Sequence, residues 1–415
     1  MNIAYCGLLL PEEKKLAERS KRRLPGVSLH KLSSALIAGL DHNLDKPVNV
    51  FSIINTLNYP KFPDLIFKNE QWQHTTGADD WYIGYINLFG IKYITQKNNL
   101  YQKLKAWKKQ LHGEHCIICV HHIYYPFMAA ACRLKRKDKQ RVTICLITGD
   151  MNGRYGLTAQ SKPNLKQRLT RFLEKRIDKM AKEFDCFVFA TKDMAEGFGV
   201  TDRPFTVLEC TYIDPLYTME TDPGIHQKNG QKILFYAGSL RKEYGIAHLL
   251  RAFSQINDPD YRLWLAGGGD TEMIIQEYAA KDPRVELLGF ISPQEVERRQ
   301  RLATALISPR TGELEFVKYS FPSKTMECLA SGKPYIAHKL PCDPPEYADY
   351  IQYAEDESDE ALRDKIVEIC ERTAEERNAI GERAKQFIVR EKNPTVMCRR
   401  IVTMWEEMIV SKKGY

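Results

Sequence analysis

At 415 residues, with 43% hydrophobic and 27% charged side chains, the chain is long enough for two ordinary cores and has a globular mixture. That composition excludes a disordered or collagen-like chain, and no apolar run reaches the ~20 residues needed to cross a bilayer. The net charge of +8 is uneven: 1–216 carries the basic surplus and the remainder is slightly acidic, which predicts an anionic partner for the first half.

The chain opens on a strand pattern over 3–10, without a signal-peptide pattern, and continues into a strongly basic stretch over 14–23. A helix is expected over 32–40, and apolar strand patterns recur at 48–54, 116–120, 142–148 and 186–190. The segment 58–101 is irregular and rich in aromatic residues, and no motif assigns it. Helical segments separate several strands. One of them, 165–184, places Leu165, Leu169, Phe172, Leu173, Ile177 and Met180 on one stripe opposite a basic face. It reads first as a core-packing helix, and with 14–23 and 133–141 as part of a surface that attracts anionic lipid. No nucleic-acid module is present and few aromatics interleave these basic runs, so nucleic acid is not an expected partner.

The eleven cysteines lie mostly within apolar strand-like runs, which predicts reduced thiols in a cytosolic compartment. Cys116, Cys119, His121 and His122 have the spacing of metal ligands. Strand alternation would send the two cysteines to opposite faces, however, and no second ligand pair lies at finger-like distance, so no metal site is expected. His121 and His122 fall at a strand end.

A turn-rich stretch over 218–230 reads as a linker. After it, strands are expected at 232–237, 261–266, 284–289, 303–308 and 333–338. Helices are expected at 246–256, 271–280, 293–302 and 320–330, and three charged helical segments, 360–370, 374–391 and 395–410, close the chain. Strands alternating with helices predict parallel sheets covered on both faces. The expected fold is α/β, with two doubly wound Rossmann-like domains over 1–216 and 217–393, a cleft between them, and the last helix, 394–415, returning to the first.

The most informative segment is Tyr319-Ser-Phe-Pro-Ser-Lys-Thr-Met-Glu327, running on to Ala330-Ser-Gly-Lys-Pro334. Ser320 is suited to cap a helix, and Pro322 is tolerated in a first turn. The amides of Ser323 and Lys324 would then point outward at the positive end of the helix, where an anion is stabilised. Lys324 adds a full charge, and Glu327 lies on the same face one turn on. A phosphate contact beside a carboxylate that accepts from sugar hydroxyls describes a nucleotide-sugar site. Three strand-end loops add to it. In Gly238-Ser239-Leu-Arg241-Lys242, Gly238 lets the backbone approach a ligand, and Arg241 or Lys242 can meet a diphosphate. Ala266-Gly-Gly-Gly269 is a tight turn that leaves room for a ligand around Gly268, and it departs from the dinucleotide fingerprint. Gly289-Phe290-Ile291 offers backbone groups to a nucleobase edge.

These residues resemble the GT-B glycosyltransferases, specifically bacterial polysaccharide-type members of glycosyltransferase family 4. The resemblance covers nearly the whole length and is strongest over 233–345. It implies that Arg241 and Lys242 neutralise the donor diphosphate, with Gly238 and Ser239 in the same loop. Phe321, Ser323 and Lys324 would sit at the phosphate, Glu327 would bind the ribose hydroxyls, and Phe290 and Ile291 would line the base. Many members carry a Glu-x7-Glu pair; here Tyr319 stands eight residues before Glu327, and Glu313 or Glu315 would supply the missing carboxylate. Leu146-Ile-Thr-Gly-Asp150 resembles the strand-end acidic motif, and His121, His122 and Asp150 are the candidates for positioning the acceptor. The implied reaction is sugar transfer from a nucleotide-diphosphate co-substrate to an acceptor hydroxyl, with retention and with neither a cofactor nor a catalytic divalent ion. The implied acceptor is a carbohydrate or lipid-linked oligosaccharide at the cytoplasmic membrane face. A sugar-nucleotide epimerase of the same fold and a non-catalytic nucleotide- or glycan-binding relative are the alternatives.

Overall fold

The computed structural model describes residues 1–9, 27–149, 151, 174–211 and 230–413. Asp150, the basic stretch 14–23, the first part of the 165–184 helix and nearly all of the linker lie outside the described residues. The chain divides into two compact units, Met1–Ile213 with Pro394–Tyr415, and Asp214–Asn393.

In the first unit the strands are β1 (Asn2–Gly7), β2 (Asn49–Ser52), β3 (Ile66–Phe67), β4 (Glu70–Trp72), β5 (Asp80–Tyr82), β6 (Tyr85–Ile86), β7 (Cys116–His121), β8 (Val142–Thr148), β9 (Cys186–Phe189) and β10 (Phe205–Val207). The main sheet runs β10-β9-β8-β7-β1-β2-β5-β4. Its neighbours are parallel except β4 and β5. Every residue of β7, β8 and β9 is buried, the pattern of a sheet covered on both faces. Over one face the helices Val27–Asn43 and Pro394–Lys413 cross closely. Leu36, Ile37 and Leu40 share a core with Met397, Ile401 and Trp405. Gly39 permits the approach, since a Cβ there would lie 2.3 Å from the Pro394 carbonyl oxygen. Asn43 Nδ2 donates to the Thr395 carbonyl at 2.8 Å. All eleven cysteines are free thiols, nearly all buried.

The segment without a motif is ordered by two devices. Strands β3 and β6 form a separate antiparallel ribbon, and Ile91–Gln110 is a helix. Leu100, Leu104 and Trp107 give that helix an apolar stripe, but its first turns bury Lys92 and Gln96 instead, which breaks the hydrophobic period. Lys92 Nζ donates to the Thr56 carbonyl at 2.7 Å and Tyr124 OH donates to Gln96 Oε1 at 2.6 Å, while Gln96 Nε2 is buried with no hydrogen-bond partner. Burial pushes the Lys92 ammonium down to about 8.

The second unit holds β11 (Lys232–Ser239), β12 (Tyr261–Gly268), β13 (Val285–Gly289), β14 (Ala305–Ser308), β15 (Tyr335–Ala337) and β16 (Gln352–Tyr353). Their order is β13-β12-β11-β14-β15-β16, parallel throughout. The chain winds outward from β11 through β13, then crosses back to lay β14 on the other side of β11. The crevice at the carboxyl ends of β11 and β14 is therefore the switch point where open α/β sheets take ligands. Helix ends follow local chemistry: Ser292 Oγ accepts from the Glu295 amide before Pro293–Leu302, and Thr373 with Glu376 closes a capping box on Ala374–Glu391.

One helix start differs from expectation. Ser320 is not an N-cap; it ends a 3-10 helix, Glu315–Tyr319, and its amide bonds to the Val317 carbonyl. The Ser320 carbonyl accepts from Arg310 Nη1 at 3.2 Å and from the Cys342 thiol. These bonds hold Ser320 in extended backbone, so the helix begins only at Lys324 and runs to Ala330.

Candidate active site

At the switch point lies a cavity of about 250 Å³. Its floor is the end of β11 (Phe235 to Ser239) and of β14 (Leu306 to Ser308), and its wall is Ser320 to Lys324 with Glu327 and Cys328. Of the residues assigned to the donor from sequence, Gly238, Ser239, Phe321, Ser323, Lys324 and Glu327 meet here. The Thr325 and Met326 amides bond to the Pro322 and Ser323 carbonyls, while among the described residues no hydrogen bond engages the amides of Ser323 and Lys324. Ser323, Lys324 and Glu327 are all exposed, on one face. Burial, with the Glu327 carboxylate beside it, pushes the Cys328 thiol up to about 12, so Cys328 is an apolar wall and not a nucleophile. Tyr236 folds back over Gly238: a Cβ at 238 would lie 2.7 Å from its hydroxyl, which donates to the Ser239 carbonyl at 2.9 Å.

Other assigned residues do not line this cavity. Arg241 is exposed and pairs with Glu243 Oε1 at 2.8 Å, and the Lys242 amide donates to Asp270 Oδ1 at 2.8 Å. The room that Gly268 leaves is taken by a side chain of the protein itself, because a Cβ there would lie 2.4 Å from the Phe290 ring. Phe290 is otherwise 85% exposed, and Ile291 is half-buried beside it in sequence. Glu313 and Glu315 are exposed, with Glu315 3.6 Å from Lys318 Nζ. Also lining the cavity are Gln300, Tyr244 from the loop after β11, and Ser308 and Arg310 of Ser308-Pro-Arg310, a run that resembles the family's donor-site segment. Arg310 was visible only as part of Ser308-Pro-Arg310; that its side chain turns inward depends on the loops that meet around it.

In the first unit, His121 closes β7 and is buried, its Nδ1 engaged by the Tyr5 hydroxyl and, at 3.1 Å, by Ser33 Oγ. Its ring stacks on that of His122 with 3.7 Å between centroids. Burial holds the His121 imidazole well below its ordinary range, with His122 adding to the effect, and burial holds His122 down to about 4. Both are therefore neutral near pH 7. His122 takes a left-handed backbone, φ 71°, which a non-glycine residue adopts only when its surroundings demand it.

Residues 218–387 match the family model "Glycosyl transferases group 1". The matched segment lies within the second unit. Over 99% of each chain the fold of the whole chain is similar to sucrose-phosphate synthase from Thermosynechococcus elongatus, at 15% identity and TM-score 0.62. It is similar to the lipopolysaccharide outer core galactosyltransferase WaaB at 14% identity and TM-score 0.60, covering 98% of this chain and 100% of that one. The catalytic domain of starch synthase IV from Arabidopsis thaliana, solved with ADP and acarbose, matches at 9% identity and TM-score 0.60, covering 100% and 99%. Among curated proteins, none matches. The fold is GT-B, and the segment matched by the family model contains the cavity at β11 and β14.

Proposed function

We propose that the chain is a retaining glycosyltransferase in which the second unit binds a nucleoside-diphosphate sugar and the first unit binds the acceptor. The observation that carries this is the meeting of Ser323, Lys324 and Glu327, on one exposed helix face, with the ends of β11 and β14. Lys324 and the unengaged amides beside it stabilise a leaving diphosphate, and Glu327 accepts from the ribose hydroxyls. The acceptor oxygen bonds to the anomeric carbon on the face from which the diphosphate departs, and the departing phosphate oxygen takes the acceptor proton. His121, His122 and Asp150 position the acceptor. Retention and family 4 membership rest on the motif resemblance.

The acceptor in this reading is a lipid-linked oligosaccharide of bacterial surface polysaccharide synthesis, reached by peripheral binding at the inner membrane face. A surface feature supports it. Leu57, Tyr59, Ile66, Phe89, Ile91 and Ile94 are exposed apolar side chains gathered around the β3–β6 ribbon. Hydrogen bonds from the Ile86 amide to Thr95 Oγ1 and from the Tyr59 amide to the Asn87 carbonyl tie these segments together. Several large apolar side chains exposed on linked segments are the composition of an interaction surface.

The test is product analysis with a panel of nucleotide sugars, with and without polyprenyl-diphosphate-linked glycans on anionic vesicles. Transfer with the donor's anomeric configuration kept is expected. Inverted product would overturn the retaining assignment, epimerised donor without acceptor would favour the epimerase, and transfer only to soluble acceptors would remove the membrane.

A further inference from the structure

The donor cavity holds a buried charged group with two unpaired donors and, among the described residues, no carboxylate in ion-pair contact, although the Asp343 carboxyl feels its charge. Arg310, two residues beyond β14, is 5% exposed. Its Nη1 reaches the Ser320 carbonyl at 3.2 Å, while Nε and Nη2 are buried with no hydrogen-bond partner. Among the described residues no carboxylate forms an ion pair with it. The aromatic rings of Phe316 and Tyr244 lie 5.1 and 5.7 Å from the guanidinium carbon and fix its place. A buried, unpaired guanidinium is strongly unfavourable, and two orphaned donors on one planar fork are the geometry that recognises two oxygens of an oxyanion. Meanwhile Arg241 and Lys242, the cations that sequence assigned to the diphosphate, do not line the cavity.

We infer that Arg310 is the residue that grips the diphosphate of the donor, its Nε and Nη2 donating to phosphate oxygens inside the cavity. The inference rests on the nucleotide-sugar reading above and names the group that carries its charge. Binding completes the hydrogen bonding of Arg310, so the empty site stores the cost of an unpaired charge and the ligand relieves it. Loss of Arg310 therefore weakens diphosphate binding, while in the empty protein the lost bond to the Ser320 carbonyl is offset by relief of the unpaired charge.

The experiment compares wild type with Arg310→Gln and Arg310→Met, measuring binding of nucleosides, nucleoside diphosphates and nucleotide sugars, neutral and uronic, by calorimetry, with thermal melting of each unliganded protein. Both variants are expected to bind nucleoside diphosphate about 10- to 100-fold more weakly, to keep nucleoside affinity, and to melt no lower than wild type. Unchanged diphosphate affinity in Arg310→Gln, with wild type binding well, would overturn this inference and leave the donor reading standing. A loss confined to uronic donors would likewise overturn it, by assigning the fork to a sugar carboxylate. A lower melting point with full diphosphate affinity would make Arg310 a structural anchor for Ser320. Failure of wild type to bind any nucleoside diphosphate would instead remove the donor reading itself.

Discussion

Lys324→Ala and Glu327→Ala will each lower kcat/KM for the nucleotide sugar by roughly 10- to 100-fold while leaving the fold intact. Both side chains are exposed on the short helix Lys324–Ala330. Replacing them with alanine favours the helix slightly and removes no core contact, so melting should move by less than about 0.5 kcal/mol. What is lost is a charge-assisted contact made only to ligand, worth about 1.5–3 kcal/mol. The two are separable. Lys324→Ala should weaken nucleoside diphosphate binding, whereas Glu327→Gln should spare the diphosphate and lose discrimination between ribose and deoxyribose. Steady-state kinetics beside melting curves decide it, and full activity in both variants would discard the assignment of this helix face.

Gly267→Ala will do the reverse, unfolding the site along with its support. Gly267 has φ +132°, and a Cβ there would lie 1.8 Å from the Gly238 carbonyl oxygen. The register pairs Gly238 with Gly267 and Ser239 with Gly268, so the clash falls where β11 delivers Gly238 and Ser239 to the cavity. A side chain in that backbone region costs about 1–3 kcal/mol, and the clash must be relieved by separating two central strands. The expected loss exceeds about 3 kcal/mol, read as a lower denaturant midpoint, with donor binding lost in parallel. Gly269→Ala should behave alike, since its Cβ would meet the Leu240 carbonyl oxygen at 2.1 Å. A Gly267→Ala protein within about 1 kcal/mol of wild type would mean that these strand ends do not hold the site.

The alternation of strand and helix in the second unit was legible because its first strands are apolar runs closed by glycine turns. Pro293–Leu302 and Ala374–Glu391 were readable to the residue, each announced by a capping serine or threonine followed three residues later by glutamate. Ser320 misled because the same signal, a small hydroxyl residue before an apolar run, also suits the end of a 3-10 turn. Lys324 and Glu327 were found because helical spacing alone puts them on one face. Arg241 and Arg310 could not be ranked that way. Each follows a strand end, and which one turns inward is decided by loop partners that periodicity does not reveal, Glu243 for one and the rings of Tyr244 and Phe316 for the other. Helix Ile91–Gln110 escaped notice because Lys92 and Gln96 occupy core positions that periodicity reserves for apolar residues.

The most direct test of the donor site is a thermal-shift titration of the full chain with nucleoside diphosphates, their sugars and the parent nucleosides. A ligand that binds only the folded protein adds about 2.7 kcal/mol of stability at a hundred times its dissociation constant. The account predicts a saturable rise in melting temperature for at least one nucleoside diphosphate and its sugar, far smaller for the nucleoside. A flat response to every diphosphate would contradict it.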